Sequence, residues 1–198
     1  MSKAYSSEKT RKLVLLSLFV AILLVLDLTQ IGLIRLPTGS VTTMHIPVII
    51  CGILMGPVYG GIAGGAFGLI SMFEATFRPG GPVDMMFSPF SSTNPVGSVI
   101  MCILPRILIG VVAGLLFTAI KKIDKTNIFA VGISAVVATA IHTFSVVMLL
   151  WSFFKDMKFK DIFTTILILN ATIEMALALL LSILICLPLL KYFKKQKV

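Results

Sequence analysis

Acidic residues are scarce in this sequence. Eight Asp and Glu stand against 17 Lys and Arg in 198 residues, and all charged residues together make up 13%. A soluble domain carries roughly twice that share. With 58% of its residues hydrophobic, a water-soluble fold of this size has too little interior to hide them. The shortage of charge therefore excludes a soluble domain and points to lipid as the main solvent. Histidine is nearly missing too, His45 and His142 being the only two. There is no HExxH, no paired-carboxylate motif, no GxSxG elbow and no nucleotide-binding signature. Enzyme chemistry is thus poorly supported, and any energy for transport must come from a partner or an ion gradient. The three cysteines, Cys51, Cys102 and Cys186, lie inside apolar runs without a CxxC partner. That argues against both a zinc site and a disulfide framework and leaves them as small hydrophobes. No basic stripe is interleaved with aromatics, so the net charge of +9 is not a nucleic-acid footprint. No small-residue cleavage site follows the first apolar run, and the polar start MSKAYSSEKTRK is long. That run is expected to be a retained helix rather than a signal peptide.

What the sequence does have is apolar runs near the ~20 residues that carry a helix across lipid. Leu13 to Leu33, Val96 to Ile120, Ile128 to Trp151 and Phe163 to Leu190 qualify. Two shorter segments, 42–55 and 59–73, meet at Gly56-Pro57, a pair that breaks helices. The expected fold is an all-α membrane protein, a single domain over residues 1–198, with six spans at about 13–33, 42–55, 59–73, 96–120, 128–151 and 163–190. With six spans, Lys3, Lys9, Arg11, Lys12, Lys121, Lys122, Lys125, Lys191, Lys194, Lys195 and Lys197 share one face. The positive-inside rule then puts both termini in the cytoplasm.

Between the third and fourth spans runs the long outer stretch EATFRPGGPVDMMFSPFSSTNP, residues 74–95. Its Phe77, Met85, Met86, Phe87 and Phe90 are too apolar for a disordered linker, so an ordered cap over an outward cavity is expected. The glycines of GGIAGGAFG, Gly60 to Gly68, lack the context of a phosphate loop. Spaced by four, they read as a helix-packing face.

Polar side chains at bilayer depth are costly and therefore informative. Arg106 falls ~15 Å into its helix at 1.5 Å per residue. His142 lies in the outer half of the fifth span, and Asn170 and Glu174 lie one turn apart in the sixth. These four are at compatible depths for one pocket. Two plainer readings stand beside that one. Arg106 and Glu174 can neutralise each other as a structural pair, and His142 with Thr143 can be packing residues. Asp27 is expected to snorkel to the interface with Gln30. Thr42, Thr43 and His45 lie at the outer end of the second span, where they can satisfy helix N–H groups or touch a ligand.

The hairpin MHIPVIICGILMGPVYGGIAGGAFGLIS and the stretch SPFSSTNPVGSVIMCILPRILIGVVAGL, with Pro105-Arg106 in a PR-x-L-x-G pattern, resemble the substrate-binding S components of energy-coupling factor (ECF) vitamin transporters. The resemblance covers nearly the whole chain. It implies capture of one vitamin from outside and docking on a membrane scaffold protein with two ATPases that use ATP. It also implies that this chain itself binds no cofactor and resides in the cell membrane of a bacterium. The family docks through small residues spaced by four on its first helix. Ser17 and Ala21 match here, with serine in place of the usual alanine. Its ligand lies near the outer ends of the last three helices, which implicates Asn94, Arg106, His142, Asn170 and Glu174, with Thr43 and His45 beneath the first loop. Pantothenate is the favoured vitamin, since Arg106 or a loop cation can pair its carboxylate. Riboflavin is the alternative, since Trp151, Phe87 and Phe90 offer stacking. The cobalt and nickel members open on Met-His, but Met44-His45 is internal and lacks a nearby second histidine, so no metal site is expected. Two other classes remain: a membrane enzyme using Arg106, Glu174 and His142 on a lipid or prenyl substrate, and a solitary ion-coupled carrier.

Overall fold

The computed structural model describes residues 2–36, 39–154 and 171–195. The described elements are α1 (Ser2–Leu28), β1 (Leu33–Leu36), β2 (Gly39–Thr42), α2 (His45–Met55), α3 (Pro57–Phe77), α4 (Pro82–Met85), α5 (Pro95–Ile120), α6 (Ile128–Phe153) and α7 (Ala171–Lys195). By length and composition, α3, α5, α6 and α7 can each cross a membrane, while α2 is a shorter apolar helix. The chain is thus a multi-pass helical membrane protein.

The hairpin departs from the all-α expectation. The first helix was expected to reach Leu33, but α1 stops at Leu28. Gln30 adopts a left-handed backbone with φ 57°, which L-residues sustain singly but not as a helix. The chain then reverses through an antiparallel pair in which Leu33 faces Thr42 and Arg35 faces Ser40. Other boundaries shift for local reasons. Pro57 opens α3 at its first turn, where a missing N–H costs nothing. The same helix runs on to Phe77 through Glu74 and Ala75, both good helix formers. Residues 163–170, expected to begin the last span, lie outside the described residues.

Chain tracing sorts the connections onto two ends. The Gly56 turn, the 121–127 turn, the start of α1 and the close of α7 share one end. There Arg11 of α1 lies with its guanidinium carbon 5.2 Å from the ring centre of Phe193 in α7. The hairpin, the 78–94 segment and the start of α7 share the other.

In lipid, helices gain little from the hydrophobic effect and associate through close packing. The centre of this bundle shows what that requires. Helix α3 lies along α5, and α2 packs on both. A Cβ added to Gly64 would collide with the Arg106 carbonyl oxygen, and one on Gly110 would collide with the Gly60 carbonyl. Backbone therefore meets backbone along this seam. The reversal between α2 and α3 also depends on glycine, because Gly56 sits at φ 96°, a region that side chains disfavour. Around the seam Val48, Ile49, Ala63, Phe67, Ile109 and Ala113 are fully buried.

Candidate functional site

The cap over the hairpin end of the bundle is built from short-range polar ties. Asn94 precedes α5 and its side chain accepts from the Gly97 N–H at 3.0 Å, an N-cap. One turn later the buried Ser98 hydroxyl lies 2.5 Å from the Met86 carbonyl oxygen. The Cys102 thiol donates to the Phe87 carbonyl at 3.1 Å. On the other flank the Thr76 and Ser88 hydroxyls are 2.9 Å apart. The cap is thus pinned to α3 and α5 together, as an ordered segment. The turn α4 carries Asp84, which accepts from the Gly80 N–H at 3.1 Å.

Beneath this cap lies a cavity of about 150 Å³. A single water needs about a tenth of that by the same measure, so the space suits a small metabolite. Its wall draws Thr42 and Met44 from the hairpin exit, and Phe67, Ser71 and Glu74 from α3. Arg78, Asp84 and Phe87 come from the cap, Arg106 from α5, His142 and Thr143 from α6, and Glu174 from α7.

Arg106 anchors the floor. It lies about ten residues into α5, so ~16 Å along the helix axis, and only 8% of it is exposed. Its Nη1 donates to the Met101 carbonyl at 2.7 Å. The guanidinium carbon sits 5.0 Å from the Phe87 ring centre and 5.6 Å from that of Phe67, within cation–π range of both. Phe87 belongs to the cap and Phe67 to α3, so the two rings fix the plane from opposite elements. Among the described residues, the Nε of Arg106, the Nε2 of His142 and the Thr143 hydroxyl are buried without a hydrogen-bond partner. Buried polar atoms are nearly always paired. Three unpaired ones belong to residues of one cavity wall, which makes it the candidate site.

Glu174 sits in the first turn of α7, where the helix dipole favours a negative charge. It accepts from the Thr42 backbone N–H at 2.9 Å, tying the hairpin to the last helix. Among the described residues no ion pair joins Arg106 to Glu174, and both line the same cavity. Asp27 does not snorkel. It is buried and paired with Arg78 at 2.6 Å, while Gln30 donates to the Asp27 carbonyl at 2.7 Å and to Glu74 at 3.2 Å.

The other sequence candidates fall in different places. Asn94 caps α5 and is not part of the cavity wall. Thr43 closes the turn into α2, with its N–H 2.9 Å from the Gly32 carbonyl. His45 lies just behind the wall, its ring centre 6.5 Å from that of His142, and its Nε2 is also buried without a partner among the described residues. Asn170 lies outside the described residues. Ser17 and Ala21 are exposed on α1, on a face shared with Val14, Leu18 and Val25. Among the described residues no cluster of His, Cys, Asp and Glu could hold a metal ion. Glu74, Arg78, Asp84 and Thr143 join the wall without having stood among the sequence candidates for binding. Their common signal was charge or hydroxyl in a segment flanking the aromatic-rich cap.

Residues 11–187 match the family model described as "ECF transporter, substrate-specific component". The chain is 31% identical over 152 residues to the pantothenate transporter PanT of Leuconostoc mesenteroides, covering 73% of this chain and 70% of that protein. It is also 31% identical over 155 residues to the pantothenic acid transporter PanT of Lactococcus lactis subsp. cremoris, covering 74% of this chain and 76% of that protein.

Proposed function

This chain belongs to the substrate-specific components of ECF transporters, and from that premise we propose that it captures pantothenate in the capped cavity. The observation that carries the proposal is the convergence of unpaired buried polar atoms around Arg106. Pantothenate is an amphiphilic anion with a carboxylate at one end, hydroxyls at the other and an amide between. Arg106 has its Nη1 engaged by Met101, which leaves the Nε–Nη2 edge, the geometry that takes a planar carboxylate through two parallel bonds. Thr143 and His142 then serve the amide and hydroxyl groups. Glu174, engaged by Thr42, keeps acceptor capacity for a ligand hydroxyl. The names of the relatives favour the same vitamin.

A flavin fits less well. Of the three aromatics that invited stacking, Phe90 is 85% exposed and Trp151 is 46% exposed. Neither belongs to the cavity wall, and Phe87 already faces Arg106.

In this reading the chain spans the bacterial cell membrane six times, with α1 and α2 adding to the four longer helices. Both basic termini are cytoplasmic and the cavity opens outward. Delivery of the vitamin depends on a membrane scaffold protein and two ATPases, which supply the ATP hydrolysis that this chain has no motif to perform. The exposed face of α1 bearing Ser17 and Ala21 is the docking surface, where small side chains allow close approach.

Calorimetry with pantothenate and with its neutral alcohol analogue, panthenol, tests the binding mode. Losing a charge-paired hydrogen-bond partner in a buried site costs on the order of 100-fold or more in affinity. Arg106→Gln should therefore lose pantothenate by that factor while changing panthenol only a few-fold. Equal losses for both ligands would remove the carboxylate from Arg106. Uptake into vesicles holding this chain alone, driven by an ion gradient, would overturn the dependence on ATPases.

A further inference from the structure

The described wall residues include a charged group at the cavity mouth that the binding mode above does not use. Arg78 follows the last turn of α3 and begins the cap. Its Nη2 lies 2.6 Å from Asp27 Oδ2, with the Asp27 side chain 5% exposed and that of Arg78 34%. The second oxygen of Asp27, Oδ1, is buried without a hydrogen-bond partner among the described residues. Asp27 stands in the last turn of α1, which is the helix that carries Ser17 and Ala21. From Arg78 onward the chain supplies Arg78, Pro79, Gly80, Val83, Asp84 and Phe87 to the cavity wall. The cap is tied on its far side to α3 and α5 by Ser88, Ser98 and Cys102. On its near side, the Arg78–Asp27 pair ties the cap to α1.

We propose that Asp27 is a positioning residue for ligand retention: by holding Arg78 it keeps the leading end of the cap, residues 78–81, closed over the cavity. A carboxylate this buried is costly without its cation, so the closed arrangement is the one that keeps Asp27 paired. Swinging residues 78–81 outward requires breaking that pair, which places its strength directly in the barrier to ligand release. Arg78 acts here through its ion pair and not as a ligand contact. Because Asp27 is on α1, the pair also joins the state of the cap to the helix proposed to dock. This inference rests on the reading of the cavity as the ligand site.

The test is a chase experiment on the full chain in nanodiscs. Protein loaded with radiolabelled pantothenate is diluted into unlabelled pantothenate, and release is followed by rapid filtration. Arg78→Gln and Asp27→Asn should each speed release by at least about tenfold, with a smaller change in the association rate. Arg78→Lys, which keeps the charge, should stay within about threefold of the parent. The double variant should release no faster than the quicker single, because both changes remove one interaction. Arg78 is partly exposed at a helix end, so Arg78→Gln decides the matter if Asp27→Asn does not fold. Parent-like release from Arg78→Gln, or acceleration that multiplies in the double variant, overturns the proposal. A parent protein that binds no pantothenate overturns the substrate assignment instead, so the two failures are distinct.

Discussion

Thr143 separates two roles that a buried hydroxyl can play. Its oxygen lacks a partner among the described residues, and the residue lines the cavity. Removing an unsatisfied polar group relieves a desolvation cost, whereas removing a satisfied one incurs it. Thr143→Val, nearly equal in shape, should therefore leave the melting temperature of the ligand-free protein unchanged or raised, and weaken pantothenate binding about 5- to 20-fold, or ~1–2 kcal/mol. Thermal unfolding with and without ligand reads both at once. At this scale the sequence made Arg106, His142 and Glu174 legible, because charge and imidazole inside apolar runs need a reason. It did not reveal that Asn94 is a cap or that Asp27 pairs with Arg78. Both depend on where the cap folds back, and nothing in hydropathy records that.

Elements hold these side chains through the contact of α3 with α5. Gly64 lies against the backbone of Arg106, so a methyl at residue 64 must push α5 outward just where the floor of the cavity is fixed. Gly64→Ala is expected to lower binding by more than tenfold and to destabilise the bundle by ~1–3 kcal/mol, the usual cost of overpacking. Gly65→Ala makes the control, because its added carbon meets only Cγ1 of the Ile107 side chain, at an ordinary contact distance of 3.9 Å. Ligand titration of the two variants in parallel checks this. At the opposite end, Asp124 accepts from the Ala130 N–H at 2.9 Å and from the Thr126 hydroxyl at 2.7 Å. These bonds, that to Ala130 foremost, hold its carboxyl below the ordinary range. A depressed folded-state value means that the stabilisation is present above the usual aspartate range and fades as pH falls through the lowered one. Amide exchange at Ala130 should quicken relative to the middle of α6 only under acid conditions, and Asp124→Asn should abolish that pH dependence. Helix existence was legible here from run length. The early end of α1 was not, since the hairpin is set by one left-handed residue, Gln30, inside a continuous apolar stretch.

Across the whole molecule, the proposed binding and docking sites occupy different surfaces. The cavity lies among α3, α5, α6, α7 and the cap, while Ser17 and Ala21 face outward on α1. Replacing Ala21 with Trp should abolish ATP-dependent uptake by the complete transporter and leave pantothenate affinity within about twofold, since an exposed site far from the cavity perturbs stability little. Loss of binding with docking intact, seen by co-purification with the scaffold protein, would reverse that assignment. The membrane class was legible from composition alone, and the family from the α2–α3 hairpin and Pro105-Arg106. The extent of the cavity wall was not, because it gathers residues from six elements whose approach is set by packing.

The glycine seam has a consequence for how relatives of this chain can diverge. A cavity wall made of side chains can be rewritten one residue at a time, and each change trades one cargo for another. The seam offers no such gradual route. Where two carbonyls and two α-carbons already touch, the first atom of any other side chain is one too many. Proteins descended from a common ancestor should then keep glycine at 60, 64 and 110 across cargoes that share nothing chemically, and drift freely at 42, 74 and 143. The parts of the chain that say least about what is carried would be the slowest to change.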